Sequence, residues 1–533
     1  MPHSRPHHPS EPHRGKPLQT GTGADAGTGT GTGVHAVVPA PDPAAVTAAL
    51  PAEPRAGGPR RPASGPARAP GGPRRSVPTW LVLLTVCAGQ FLVVLDVSVV
   101  NVALPSMRTD LGLSTTGLQW VLNAYTIAFA GFMLLGGRAA DLFGSKRMFL
   151  VGLGLFTVAS LAGGVAQEGW QLLAARAVQG LGAAVLAPAT LTIIMAAVPP
   201  GPARTRAIGT WAAVGAAGGA AGGLVGGLLT DLLSWRWVLL INVPVGALVL
   251  VAGVLWLAEG RGGPGRRLDL PGAVLVTAGL AAVAYGIVET EAAGWGSPAS
   301  LLPLFAGVLL LGVFVAVEAR TAVPLMPLKL FRSRAVTAAN ATMLLTGSAS
   351  FASWFFMTMY AQNVLGYGPL KAGVALIPSS ISIVVGSKLA PPLMARVGTR
   401  TVAVGGALVA SAGFAWQSAM TADGSYATSV LGPGVLMLAG IGLAATPLSA
   451  LATAGVAAED AGLASGLINT SRTMGGALGL AVLSTVAASR SGGSTSPEAL
   501  TAGYALAFRC GAVALFTAAL LMLVWLPKGE GER

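Results

Sequence analysis

The chain has 533 residues, 53% hydrophobic and only 10% charged, with a mean hydropathy of +0.68, which excludes an ordinary soluble globular protein and makes lipid its main solvent. Its net charge of +13 would suggest nucleic acid in a soluble chain, yet the Lys and Arg residues fall in short links between apolar runs, a topology pattern rather than a basic binding face. The apolar runs reach about 18–25 residues without alternating, the length of helices crossing a hydrocarbon core of about 30 Å, so a β-barrel is excluded.

Residues 1–76 are rich in Pro, Gly, Ala, Thr and Arg and cannot bury a core, so they read as a disordered tail with no secretory signal peptide. Arg60, Arg61, Arg74 and Arg75 precede the first span and assign the tail to the cytoplasmic side. All five histidines (His3, His7, His8, His13 and His35) lie in this tail, leaving none for a proton relay or a metal site in the membrane. Any proton carrier there must be a carboxylate. Cys87 and Cys510, each among apolar neighbours, read as small buried side chains and not as a disulfide or metal pair.

The first span, about 81–104, contains Asp96. A charged Asp near a helix centre costs about 2.5–3.5 kcal/mol on insertion scales, so it must pair, face water or take up a proton. It either carries protons or holds helices together. The second and third spans, about 119–137 and 148–167, are joined by Gly137-Arg138-Ala139-Ala140-Asp141-Leu142-Phe143-Gly144-Ser145-Lys146-Arg147. Glycine permits a tight turn there, and Asp141 can meet a helix N-terminus or a basic partner, a charge lock able to open and close. The fourth span, about 172–197, carries Arg176 about a turn from its outer end, where it either snorkels to the interface or acts inside.

The fifth span, about 208–229, has Gly215, Gly218, Gly219, Gly222, Gly223, Gly226 and Gly227 in a spacing that lets backbones approach closely, for packing or for sliding. The remaining spans lie at about 238–257, 270–288, 301–317, 336–359, 371–390, 401–419, 430–453, 466–487 and 504–526, about fourteen in all. Lys388, Arg472 and Arg509 fall near span ends and are expected to snorkel. With the N-terminus inside, the even-numbered links hold most of the positive charge, including Lys146, Arg147, Arg261, Arg266, Arg267 and Arg396. Both termini are then cytoplasmic.

The string Met394-Ala395-Arg396-Val397-Gly398-Thr399-Arg400 after the tenth span echoes the Gly137–Arg147 link, which points to two related halves. The expected organisation is a tail over 1–76, six helices over 77–258, two extra helices and linkers over 259–333, six helices over 334–528, and a short tail over 529–533.

Together these segments resemble the major facilitator superfamily, specifically its fourteen-helix drug:proton antiporters. The Asp96 string ending Ala103-Leu104-Pro105 is similar to the family's first-helix signature, and the Gly137–Arg147 link to its loop signature. Arg176-Ala177-Val178-Gln179-Gly180-Leu181-Gly182 is similar to the fourth-helix motif, and Ser234 to Gly246 to the signature before the sixth helix. One departure is the fifth-helix antiporter motif, where the family's Gly-Pro is Gly218-Gly219 here.

The resemblance implies an all-α integral membrane protein with the major facilitator fold, exporting lipophilic drugs or antibiotics across the plasma (inner) membrane in exchange for protons, as a monomer and without a cofactor. It implies proton coupling through Asp96 and Arg176, gating through Gly137, Asp141, Gly144, Lys146 and Arg147, and an antiporter helix built on Gly218, Gly222, Gly226 and Gly227.

The chain lacks a Gly-x-x-x-x-Gly-Lys-Ser/Thr loop, against an ATP-driven pump, and a cluster of His, Cys or carboxylates at one depth, against a membrane enzyme or a metal site. A uniporter, a symporter or a transporter-like receptor remain as alternatives. With Asp96 as the one deep acid, monovalent or neutral lipophilic substrates are expected over divalent cations.

Overall fold

The computed structural model describes residues 77–199, 201–259, 268–321, 324–453, 456 and 461–526. The expected tails and the linker arginines Arg261, Arg266 and Arg267 lie outside them. Without water in the hydrocarbon layer, each backbone N–H and C=O must be satisfied within its own segment, and the apolar runs are accordingly helical. They are α1 (Thr79–Leu111), α2 (Thr115–Phe143), α3 (Ser145–Gly164), α4 (Gly169–Ala197), α5 (Pro202–Leu232), α6 (Trp237–Trp256) and α7 (Leu270–Ala293). There follow α8 (Pro298–Arg320), α9 (Arg334–Met359), α10 (Pro369–Val397), α11 (Thr399–Gln417), α12 (Ala427–Thr453), α13 (Ala461–Ser491) and α14 (Pro497–Trp525).

These are the fourteen helices expected. Among the described residues eleven are long and apolar enough to cross a membrane, and the exceptions are α9, α11 and α13. The polarity of α9 and α13 is directed inward: Ser471 on α13 donates to Asn340 Oδ1 on α9 at 2.8 Å, and both helices also line the central cavity described below. The first helix runs on through Pro105 to Leu111, past the expected end near 104. Proline frees only the carbonyl one turn earlier, and packed neighbours in a bundle absorb that loss.

Caps fit the polar residues at the helix starts. The Ser114 hydroxyl accepts from Gly117 N at 3.0 Å, the Asp269 carboxylate from Gly272 N at 2.9 Å, and the Ser496 hydroxyl from Ala499 N at 3.2 Å. Two joints have a single residue between helices: Gly144, with φ +96°, separates α2 from α3, and Gly398, with φ +85°, separates α10 from α11. The sequence echo is therefore a repeated backbone device. Side chains other than glycine are strained in this conformation by about 1–3 kcal/mol. Gly144→Ala and Gly398→Ala are each expected to lower the thermal stability of the detergent-solubilised protein, whereas Gly405→Ala, in open space and ordinary helix, leaves it unchanged.

Helix α4 packs on α2 and α3, and α1 packs on α5; later in the chain α12 packs on α10 and α11, and α9 on α13. Contacts between α2 and α13 and between α5 and α10 join the two groups, while α7, paired with α8, lies against both α2 and α13.

Candidate functional site: a sealed ion pair beside a large cavity

A break in α6 at Ile241 shapes the site. Pro244 has no N–H for the Leu240 carbonyl, the helix restarts at Asn242, and the neighbouring Leu239 carbonyl takes a hydrogen bond from Ser160 Oγ of α3 at 3.0 Å. The restart brings the Asn242 amide to Asp96 of α1, with Nδ2 2.9 Å from Oδ1.

From α4, Arg176 Nη1 donates to Asp96 Oδ2 at 2.6 Å and Gln179 Nε2 donates to Asp96 Oδ1 at 2.7 Å. Arg176 and Gln179 are three residues apart and so share a helix face. Arg176 Nη1 also reaches Gln179 Oε1 at 2.6 Å, and its Nε reaches the Val121 carbonyl of α2 at 3.2 Å. Ser160 Oγ accepts from Gln179 at 3.1 Å and from Asn242 at 2.9 Å.

Asp96 is 0% and Arg176 1% exposed, so the pair is sealed from lipid and water. This corrects the alternative in which Arg176 snorkels, because a carboxylate on a neighbouring helix meets it more closely than the interface could. The Tyr125 ring of α2 covers the guanidinium at 4.4 Å, and its hydroxyl and Arg176 Nη2 have no partner among the described residues.

Tyr125 is also a wall residue of a cavity of about 1930 Å³. The cavity lies between the helix groups, with Gln90, Asn101, Phe129 and Trp211 on one side and Phe351, Trp354, Asn469 and Arg472 on the other. It extends to the end of the bundle that carries Arg138, Asp141 and Leu142. At the opposite end the groups meet: Gln362 Nε2 donates to the Val102 carbonyl at 2.9 Å, and a Cβ on Gly373 of α10 would stand 1.9 Å from the Gly223 carbonyl oxygen of α5. One end is open and the other closed, with a sealed ion pair beside a large amphiphilic chamber between them.

The family model of the Major Facilitator Superfamily matches residues 86–480. The chain belongs to the Major Facilitator Superfamily. It is therefore a multi-pass membrane transporter and not an enzyme. The cephamycin export protein CmcT of Amycolatopsis lactamdurans is 49% identical over 83% of this chain and 91% of its own length. The puromycin resistance protein pur8 of Streptomyces alboniger is 42% identical over 70% of this chain and 74% of its own. Among solved structures, an auto-inhibited POT family peptide transporter superposes with a TM-score of 0.64 over 85% of this chain and 98% of its own at 14% identity, a likeness of fold.

In this facilitator the side chains of the Gly137–Arg147 loop meet different surroundings. Lys146 Nζ donates to the Val254 and Leu257 carbonyls at 2.8 and 2.7 Å, capping the end of α6, where orphan carbonyls favour a cation. Arg147, mostly exposed, pairs with Glu259 at 3.7 Å. Gly137, Arg138 and Asp141 line the cavity, Arg138 donating to the Pro324 carbonyl.

The α5 glycines divide by face. Gly218, Gly222 and Gly226 sit against Phe91, Ser98 and Val99 of α1, whereas Gly223 and Gly227 meet Gly373 and Pro369 of α10. Arg472 departs from expectation: it lies well inside α13 and lines the cavity, and does not reach toward a helix end. Lys388 lines the cavity as well, while Arg509 borders a shallow groove with Glu498 and Met420. Gln179, Asn242 and Ser160 went unassigned in the sequence reading. The one available signal was that Gln179 and Asn242 stand inside the quoted motifs.

Proposed function

We propose that this protein is a proton-coupled antiporter that exports a lipophilic antibiotic across the plasma membrane from a cytoplasm-facing cavity. The observation that carries the reading is the Asp96–Arg176 pair, sealed from solvent yet separated from the cavity by the ring of Tyr125. The relatives named for antibiotic export and resistance support an antibiotic cargo, with a β-lactam of the cephamycin type as the first candidate. The positive charge of the even-numbered links supports a cytoplasmic side for the open end of the cavity.

Residues 77–258 and 334–528 serve as two six-helix halves around the cavity, with 259–333 between them. In the conformation described here, donors from α4 and α6 satisfy an ionised Asp96. A proton on Asp96 removes the charge that holds Arg176 and frees the guanidinium to turn toward Tyr125 and the cavity. Because α1, α4 and α6 meet at this carboxylate and α3 joins them through Ser160, its charge state biases how they pack. Proton and drug then favour different conformations, and exchange follows because a ligand shifts the cycle only by binding one state better than the other. The gradient supplies the energy, and no cofactor is required.

Proteoliposomes with an imposed pH gradient test the reading. The native protein is expected to move the antibiotic against its gradient and to stop when an ionophore collapses the pH difference. Asp96→Asn is expected to bind the drug while losing at least about tenfold of the gradient response. A native protein indifferent to the gradient would show uniport, and an Asp96→Asn protein coupled as tightly as the native one would remove Asp96 from the mechanism.

A further inference from the structure

We propose that Arg472 is the substrate-recognising cation of the cavity and that the exported molecule is an amphiphilic monoanion, most simply a carboxylate. The proposal rests on the cavity being the transport site. It adds the charge class of the cargo and the residue that selects it.

Arg472 stands eleven residues into α13, which begins at Ala461, or roughly 16 Å along the helix axis at about 1.5 Å per residue. A guanidinium at such depth must pair or face an aqueous chamber. Arg176 and Arg472, each well inside its helix, take opposite courses. Arg176 is 1% exposed and bonded to Asp96, Gln179 and Val121, whereas Arg472 is open to the cavity with no hydrogen bond or ion pair to any described residue.

No carboxylate stands ready to take it up. The cavity walls built from α9, α10, α12 and α13 carry Lys388 and Arg472 and, among the described residues, no Asp or Glu. The acids that do line the chamber come from other elements. Asp141 is at the end of α2, and Glu318, 2% exposed, accepts a hydrogen bond from Met326 N. Asp96 is sealed away.

A chamber open to water at one end tolerates this charge. When the open end closes around its occupant, water leaves and an unpaired guanidinium becomes expensive, unless the occupant brings the opposite charge. An anion is therefore favoured in the closed-over state, and a cation is opposed by both Arg472 and Lys388. A carboxylate matches the planar guanidinium fork with two parallel hydrogen bonds, and the Asn469 and Thr473 side chains line the same wall. Phe351 and Trp354 offer apolar surface for the body of the molecule.

The test is equilibrium binding to the full-length protein in detergent, followed by quenching of tryptophan fluorescence, with cephalothin as the carboxylate probe and its methyl ester as the neutral control. The native protein is expected to prefer the acid. Arg472→Gln is expected to weaken acid binding about tenfold or more while changing ester binding by less than about twofold, and Arg472→Lys to retain part of the preference. A Lys388→Gln protein, whose charge is nearer the open end, is expected to lose less than Arg472→Gln.

Equal losses for acid and ester in Arg472→Gln, unchanged acid binding, or a native protein that binds the ester as tightly as the acid or binds neither would each overturn the proposal. Thermal unfolding of each variant, with Arg472→Lys as the conservative control, separates lost recognition from lost folding. Binding is read without a gradient, so failure of proton coupling leaves this result standing, and failure here leaves the coupling experiment unaffected.

Discussion

Replacing Gly373 by valine is expected to reduce antibiotic efflux by at least about tenfold and to open the closed end of the bundle. A Cβ at Gly373 would stand 1.9 Å from the Gly223 carbonyl oxygen, and one at Gly227 would meet the Pro369 carbonyl oxygen at 2.7 Å. Both obstacles are backbone, so no rotamer change relieves them. Overpacking of a close contact costs about 1–3 kcal/mol, and each 1.4 kcal/mol or so shifts a two-state equilibrium about tenfold. Here the strain falls on one conformation only, because the α5–α10 contact belongs to the closed end and must part when that end opens.

An Asn101→Cys reporter, in a chain whose Cys87 and Cys510 are replaced by serine, then gains reactivity toward an impermeant maleimide added outside. Normal efflux together with unchanged labelling would show that this contact does not gate the cavity. The matched control is Gly218→Ala, which strains the α1–α5 contact within one helix group, where a Cβ would stand 3.0 Å from the Phe91 carbonyl oxygen. It is expected to affect stability more than labelling.

The second large effect is on stability. Arg176→Ala leaves the Asp96 carboxylate enclosed with only the amides of Gln179 and Asn242 as donors. Removing one partner of a buried ion pair costs about 3–5 kcal/mol, chiefly because the remaining charge is left without compensation. Asp96→Ala strands Arg176 in the same way, against Gln179 Oε1, the Val121 carbonyl and the Tyr125 ring. The double variant Asp96→Asn/Arg176→Gln carries neither charge and is expected to recover more than half of the loss in apparent Tm by scanning fluorimetry in detergent. A double variant that loses as much Tm as either single one would mean that a stranded charge is not what the single variants suffer from.

The glycine at 373 and the arginine at 176 show how differently the two features were readable. Arg176 was visible as a charge in an apolar run, although its partner was not. Gly373 carried no signal, since a single glycine in a membrane helix has many ordinary uses. The apolar run at about 466–487 puts Arg472 near a span end, whereas the helix starts at Ala461 and sets that position farther from its end. Hydropathy marks where apolar residues concentrate. A helix whose polar face lines a cavity extends beyond that mark.

The sequence by itself determined that this is a membrane protein of about fourteen helices, because crossing a lipid layer is a local requirement met by each apolar run on its own. Its motifs were also enough to point to the superfamily. What only the tertiary structure decided is which polar groups meet and which end is shut. Asn242 reaches Asp96 across 146 residues of chain and Gln362 reaches Val102 across 260, separations that local hydropathy does not encode. Local composition sets each helix, but the pairing of Asp96, the isolation of Arg472 and the closure at Gly373 depend on distant segments being packed side by side.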